Sequence, residues 1–365
     1  MPAAARPVVI LKYLKDMRNF IYSLMTDKRS GAVIAPLKFL LYLASLSYGI
    51  AIYTRRLLYK YGIFKKEIVP MKVISVGNLT LGGTGKTPFV IGLARILNDE
   101  LNKTVSILIR GYGWDEQNML KKKIADIPIL VGEDRARSCH KAIRLYGANT
   151  AIMDDGFQHW ELERDLDIVL VDSRNPFGNG RLFPRGILRE PFESVRRADF
   201  IVFTKVDRKK ADIDIIKSEI KRIKNDIVFL ESVHRPKYIY DQRNRIELPL
   251  SYLAGKRIVL LSAIGDPSYF EESSSALGAD IAEHIAFPDH HNYNNDDMAR
   301  ILKRCDERKF DFVMMTEKDE VKIRRMSLSF GKYIPMTLVI EMEIVKGKEL
   351  LVAGLNSLYN RKAFK

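Results

Sequence analysis

The sequence predicts an α/β protein made of a parallel-sheet domain, a β-ribbon linker and a smaller C-terminal α/β domain. Three observations carry this reading. Residues 72–93, KVISVGNLTLGGTGKTPFVIGL, run as strand, glycine-rich turn and helix. Short apolar runs then alternate with helical segments, which is the pattern of a parallel sheet covered on both faces. Around Asp241 the pattern changes to short alternating segments before a second strand–helix series begins. The expected divisions are an N-terminal helical segment over 1–68, the first domain over 69–232, the linker over 233–253 and the second domain over 254–365.

The chain has 365 residues, 47% of them hydrophobic, enough for two real cores. Its 60 Lys and Arg against 45 Asp and Glu give a net charge of +15, so an acidic partner is expected. The sequence carries neither a zinc finger nor an RNA-binding signature, and nucleic acid is not the expected one. Cys139 and Cys305 are far apart and in no metal-ligand spacing, which excludes a disulfide framework and a zinc site.

The first 27 residues read as a basic leader without a cleavage site. Residues 33–53, VIAPLKFLLYLASLSYGIAIY, are long and apolar enough to cross a bilayer. Pro36, Lys38, Ser45, Ser47 and Gly49 weigh against a spanning helix and toward one lying in the interface, with a buried core helix as the third reading. Arg55, Arg56, Lys60, Lys65 and Lys66 follow, where an anionic membrane surface would meet them.

The stretch Gly82-Gly83-Thr84-Gly85-Lys86-Thr87 follows a strand and opens a helix. Its backbone N–H groups suit phosphate, Lys86 suits the β/γ oxygens, and the Thr87 hydroxyl suits Mg²⁺. The first domain is therefore expected to be P-loop NTPase-like, although Thr80 stands where the strict pattern has glycine. Further strands are expected at 104–109, 149–153, 167–171 and 200–203. Polar clusters fall at their carboxyl ends, where ligands of such sheets bind. Asp154 and Asp155 end one strand as candidate Mg²⁺ ligands, and Gln158 and His159 follow in the next turn. Asp115 and Glu116 form a second carboxylate pair that reads equally as an acidic loop tip. In the second domain, strands are expected at 257–263, 280–287 and 310–315, with a helix at 298–305. Asp289-His290-His291 admits a metal site, a general-base group or a surface turn. Thr204-Lys205-Val206-Asp207 has the form of a guanine-reading loop, but with Thr in place of its Asn.

Beyond these separate features, nearly the whole chain resembles the tetraacyldisaccharide 4′-kinase family. The resemblance rests on VISVGNLTLGGTGKTP, RGYG, DDGFQH, LFPRGILREP, FPDHHNY and TEKD, together with the apolar leader. It implies transfer of the ATP γ-phosphate to the 4′-hydroxyl of an acylated glucosamine disaccharide 1-phosphate, with Mg²⁺, at the cytoplasmic face of a bacterial inner membrane. It also makes Thr80 the family form of the loop. By resemblance, Gly82 to Thr87 bind the nucleotide phosphates, while Thr87, Asp154, Asp155 and Glu116 hold the metal. Asp115 and His290 form the proton-accepting pair, and Tyr112, Arg135, Gln158, His159, Arg189 and Glu190 support substrate or transition state. The family's Gly-Asp-Glu-Pro motif is matched here to Trp114-Asp115-Glu116-Gln117. Its flanking Gly and Pro are missing, and the segment before it is shortened. Glu133 and Asp134 are the rival placement. The alternative function is a membrane-associated P-loop GTPase with a regulatory or metal-delivery role.

Overall fold

The computed structural model describes residues 17, 20–111, 114–209 and 211–360, with backbone alone for Trp114 and Asp115. Twelve strands form one sheet in the order β10-β9-β11-β12-β7-β6-β5-β1-β4-β2-β3, and β8 pairs with β7 off this path. In chain order, β1 is Lys72–Asn78, β2 Val105–Ile109, β3 Ile129–Val131, β4 Thr150–Asp154, β5 Leu166–Asp172 and β6 Phe200–Thr204. They continue as β7 Val228–Asp241, β8 Ile246–Leu248, β9 Arg257–Ser262, β10 Asp280–Ala286, β11 Phe312–Thr316 and β12 Pro335–Lys346. All pairings are parallel except β7 with β12 and β7 with β8. The central strands β2, β4 and β6 are buried at every residue, as expected for a sheet covered on both faces.

The ribbon forms as expected at Asp241, where β7 turns into β8. The strand that joins the two halves is a different one. β12 runs antiparallel to β7 from Met336 opposite Asp241 to Lys346 opposite Glu231, so the halves share one continuous sheet. The helices are α1 Ala35–Lys60, α2 Lys86–Arg95, α3 Trp114–Lys123, α4 Arg135–Tyr146, α5 Ile213–Ile223, α6 Pro267–Ala276, α7 Asn295–Asp306, α8 Glu317–Arg325 and α9 Lys348–Asn360. Phe89, Val90 and Leu93 of α2, Leu120 of α3, and Leu351, Leu355 and Leu358 of α9 share one core on one face of the first half. The last helix thus returns to the half that the chain built first. In the second half, Met298 and Ile301 of α7 and Ile323 of α8 cover one face of the sheet, and Phe270 of α6 covers the other.

α1 is 26 residues long, and only 6% of its apolar window is buried, which overturns the core-helix reading. One stripe of it lies on the protein. Tyr48 meets Phe183 edge-on with ring centroids 5.6 Å apart, and Tyr59 lies 5.8 Å from the Trp160 ring. Phe39, Leu40, Leu43, Leu46, Ile50 and Tyr53 face outward and are exposed.

The carboxylate of Asp319, wholly buried at the start of α8, ties this half together. It accepts hydrogen bonds from Ala263 N at 2.9 Å, the Tyr293 hydroxyl at 3.0 Å and the Thr316 hydroxyl at 2.6 Å, which come from three separate segments. Asp319→Ala leaves these buried donors unpaired, a loss of roughly 3 kcal/mol. Differential scanning calorimetry should then find the Tm lowered by about 5 °C.

Candidate active site

The site is built where β1 ends. Leu79 to Leu81 lie against 187–189, with Leu81 N donating to Ile187 O at 2.7 Å and Arg189 N to Leu79 O at 2.7 Å. The chain then turns through Gly82 (φ 115°) and Gly85 (φ 82°) into α2. Left-handed backbone at Gly85 points the first N–H groups of α2 into the turn, which is the geometry that receives an anion. A side chain there has no room, since a Cβ would come within 2.6 Å of His234 Nε2. Gly265, from the end of β9, approaches so closely that a Cβ on it would meet Gly83 N at 2.8 Å. The end of β6 holds the other side of the loop. The Thr204 hydroxyl donates to Thr84 O at 3.0 Å and Lys205 Nζ to Gly83 O at 3.1 Å. Asp207 accepts from the Tyr269 hydroxyl at 3.2 Å. The segment with the guanine-reader pattern therefore braces the loop.

Lys86 Nζ lies 3.2 Å from Asn78 Oδ1 and 3.5 Å from Asp155 Oδ1. Arg189 reaches the same Asp155 oxygen at 2.7 Å and Gln158 Oε1 at 3.2 Å, while Gln158 Nε2 donates to Asn78 O at 3.0 Å. Burial acts to raise the Asp155 carboxyl, but Lys86 and Arg189 outweigh it and hold it below the usual carboxylate range. Asp154 behaves oppositely. Burial, reinforced by the Glu116 charge, pushes its carboxyl up to about 7. Its Oδ1 is buried with no hydrogen-bond partner among the described residues. An orphaned carboxylate oxygen beside a second acid and a buried Thr87 makes a hard oxygen donor set. Among the described residues no three His, Cys, Asp or Glu gather to hold a metal by themselves. Mg²⁺ requires no such cage, because it takes one or two carboxylates and completes its shell with phosphate and water.

A cavity of about 1940 Å³ opens from this loop. Gly82 to Thr87, Glu116, Asp154, Asp155 and Arg189 line it together with Asp289, His290, Tyr293 and Lys318. The structure thus brings His290 into one space with the phosphate loop. His290 has a left-handed backbone (φ 59°) and its N–H donates to Asp289 Oδ1 at 3.0 Å. His291 is set apart, with Nε2 2.7 Å from Asp297 Oδ2 and its ring stacked on Phe287. Other expected residues stand behind the wall. Arg135 is 3% exposed and donates to Asp154 O at 3.2 Å, with burial pushing its guanidinium down to about 10. Burial likewise pushes His159 down to about 4. Glu190 accepts two hydrogen bonds from Arg197, at 2.7 and 3.0 Å, and supports the Arg189 segment from outside the cavity. Glu133 and Asp134 do not line it, and Asp134 instead caps α4 by accepting from Arg137 N at 2.8 Å. Tyr112 lies outside the described residues, and Asp115 is described only as the second residue of α3.

Sequence reasoning missed three groups at this site. Asn78 sits just before the loop, Lys205 in the discounted guanine-reader pattern and Lys318 in TEKD, where it pairs with Glu116 at 2.8 Å. Each had a local signal, but the partner that gives it meaning is distant in sequence. Gly85→Ala should combine left-handed backbone strain with the His234 collision. Nucleotide affinity, measured by equilibrium binding of a fluorescent nucleotide, should fall at least about 30-fold, the equivalent of some 2 kcal/mol.

A parallel sheet whose glycine-rich loop presents its lysine to a strand-end aspartate pair defines a P-loop phosphotransferase. Over residues 37–357 the sequence matches the family described as Tetraacyldisaccharide-1-P 4′-kinase. It is 37% identical over 322 residues to the tetraacyldisaccharide 4′-kinase of Syntrophus aciditrophicus (strain SB), covering 80% of this chain and 86% of that one. It is 33% identical to the Halothermothrix orenii enzyme of the same name, covering 85% and 89%. In fold it is similar to LpxK from Aquifex aeolicus, solved in complex with ATP, at a TM-score of 0.64 and 24% identity, with 90% of this chain and 99% of that one covered. The chain belongs to the tetraacyldisaccharide-1-P 4′-kinase family and is a phosphotransferase of lipid A biosynthesis.

Proposed function

We propose that this kinase takes the γ-phosphate of ATP with Mg²⁺ and delivers it to the 4′-hydroxyl of a tetraacylated glucosamine disaccharide 1-phosphate, with Asp115 and His290 accepting the hydroxyl proton. The observation that carries this reading is the single cavity lined by both the phosphate loop and His290. The N–H groups of Gly82 to Gly85 bind the phosphate chain. Lys86, already beside Asp155, shifts its charge to the β/γ oxygens as transfer proceeds. Arg189 keeps Asp155 ionised and oriented. Thr87, Asp154, Asp155 and Glu116 would hold Mg²⁺, which neutralises charge on the phosphate oxygens when bound.

A sugar hydroxyl is a weak acid, so its proton has to leave for a positioned base during attack. Asp115, the second residue of α3, comes one residue before Glu116, which lines the cavity with His290. Glu133 and Asp134, outside that cavity, make the poorer alternative. With radiolabelled ATP and the disaccharide 1-phosphate, Asp115→Asn and His290→Ala should each lower kcat by about 10²- to 10⁴-fold, with nucleotide affinity retained. The double variant should be scarcely slower than either single one. Glu133→Gln and Asp134→Asn should transfer label at the normal rate. A collapse in those two with Asp115→Asn unaffected reassigns the base.

The acyl chains of the acceptor require the enzyme to work at a lipid surface. The outward row Leu43, Leu46 and Ile50 on α1, with Arg55, Arg56 and Lys60 after it, supports attachment to anionic lipid at the cytoplasmic face of the inner membrane. Tyr48 of the same helix donates to Arg189 O at 2.9 Å, so the attached helix also touches the site. Replacing Leu43, Leu46 and Ile50 together by Glu should weaken cosedimentation with anionic vesicles by more than about tenfold. The Tm should not change. Undiminished binding would assign attachment to another surface.

A further inference from the structure

β11, which leads into α8, and β2, which leads into α3, are separated by six strands in the sheet. Along a flat sheet seven strand spacings cover roughly 34 Å. Yet three ion pairs join the two helices directly. Lys122 Nζ meets Glu320 at 2.7 Å, Lys123 Nζ meets Glu317 at 2.9 Å, and Lys318 Nζ of α8 meets Glu116 of α3 at 2.8 Å. Each helix gives both signs, two bases and one acid from α3 against two acids and one base from α8. The α8 acids are the fixed ends of these bonds. Glu320 and Glu317 are both nearly buried, and Glu317 also accepts from Ile340 N at 3.2 Å, on the strand that carries the second half back to the first. Acids in its first turn also suit the α8 N-terminus, so they are held there whether or not α3 is in place.

α3 depends on such support. Its inner side is held by Met119 and Leu120, but it leads to a three-residue edge strand, β3. We propose that these ion pairs are a clasp by which α8 sets the position of α3, making Lys122, Glu317 and Glu320 positioning residues for phosphoryl transfer. This rests on the reading of α3 as the helix that carries the base and metal-side carboxylates. The clasp acts on α3 by direct contact. The phosphate loop has its own braces in Thr204 and Lys205, so disturbing the clasp changes turnover while nucleotide binding stays as it is.

The test is a charge exchange at the more exposed pair in the full chain. Lys122→Glu should lower kcat about tenfold or more with the nucleotide Kd within twofold of the parent, and adding Glu320→Lys should restore kcat to within about threefold. A folded double variant as slow as the single one overturns the proposal, as expected if Lys122 instead contacts substrate. So does a Lys122→Glu variant with parental kcat. If Lys122→Glu has no melting transition, Lys122→Met replaces it, and only a kcat reduced at least about threefold at unchanged Kd upholds the clasp. Asp115→Asn is run alongside. Parental turnover there discards the base assignment, whereas loss of turnover there with no rescue in the exchange discards the clasp alone.

Discussion

The backbone from Gly83 to Gly85 has to lie against both halves of the sheet at once, and little else in the molecule could keep its place if it did not. His234 of β7 fills the space beside Gly85, Gly265 from β9 presses on Gly83, and Thr204 and Lys205 of the β6 end hold the loop carbonyls. Lys205 Nζ is also 2.5 Å from Asp172 and 3.2 Å from Asp266, the cap of α6, so one buried ammonium joins the loop to two strand ends and to the second half. A loop wedged in this way loses little further freedom when it binds an anion, which favours tight and oriented phosphate capture.

The charges around the loop divide into two kinds. Those facing the cavity are in tension, with Asp154 pushed toward neutrality and Asp155 held ionised by Lys86 and Arg189. Those behind it are satisfied, as with Glu190 on Arg197 and Asp319 on its three donors. His234 also lines the cavity and stays neutral, burial and Lys205 together pushing it down to about 3, with its Nε2 buried and lacking a hydrogen-bond partner among the described residues. Strain concentrated at the exposed face and satisfaction behind it is the arrangement expected where ligand charge completes a site.

Eight strands were legible because each is a short apolar run bounded by polar residues, and β5 and β6 extend only one residue beyond the expected ends. β3, three residues long, lies in the apolar run 127–131, IPILV, whose proline weakens the strand signal. β12 did have a signal, the alternation from Ile340 to Lys346, but pairing with a strand about a hundred residues earlier is a tertiary fact that no local pattern contains. The same division holds at the site. Gly82 to Thr87, Asp154, Asp155 and Arg189 stood in dense motifs and meet around one cavity. What the motifs left out were the bonds between them, such as Lys86 with Asn78 and Glu116 with Lys318. Arg135, His159 and Glu190 sat in equally strong motifs yet stand behind the wall, since a motif records what a site needs without distinguishing contact from support.

The return of α9 to the first half has a consequence for how the protein is made. Leu351, Leu355 and Leu358 belong to the same core as Phe89, Leu170 and Phe200, so that core stays open until α9 has left the ribosome. α1, by contrast, is finished early and has no need of that core. During translation α1 is complete while the nucleotide-binding half still waits for α9, so a chain terminated before Leu351 carries its exposed apolar helix yet never closes that core.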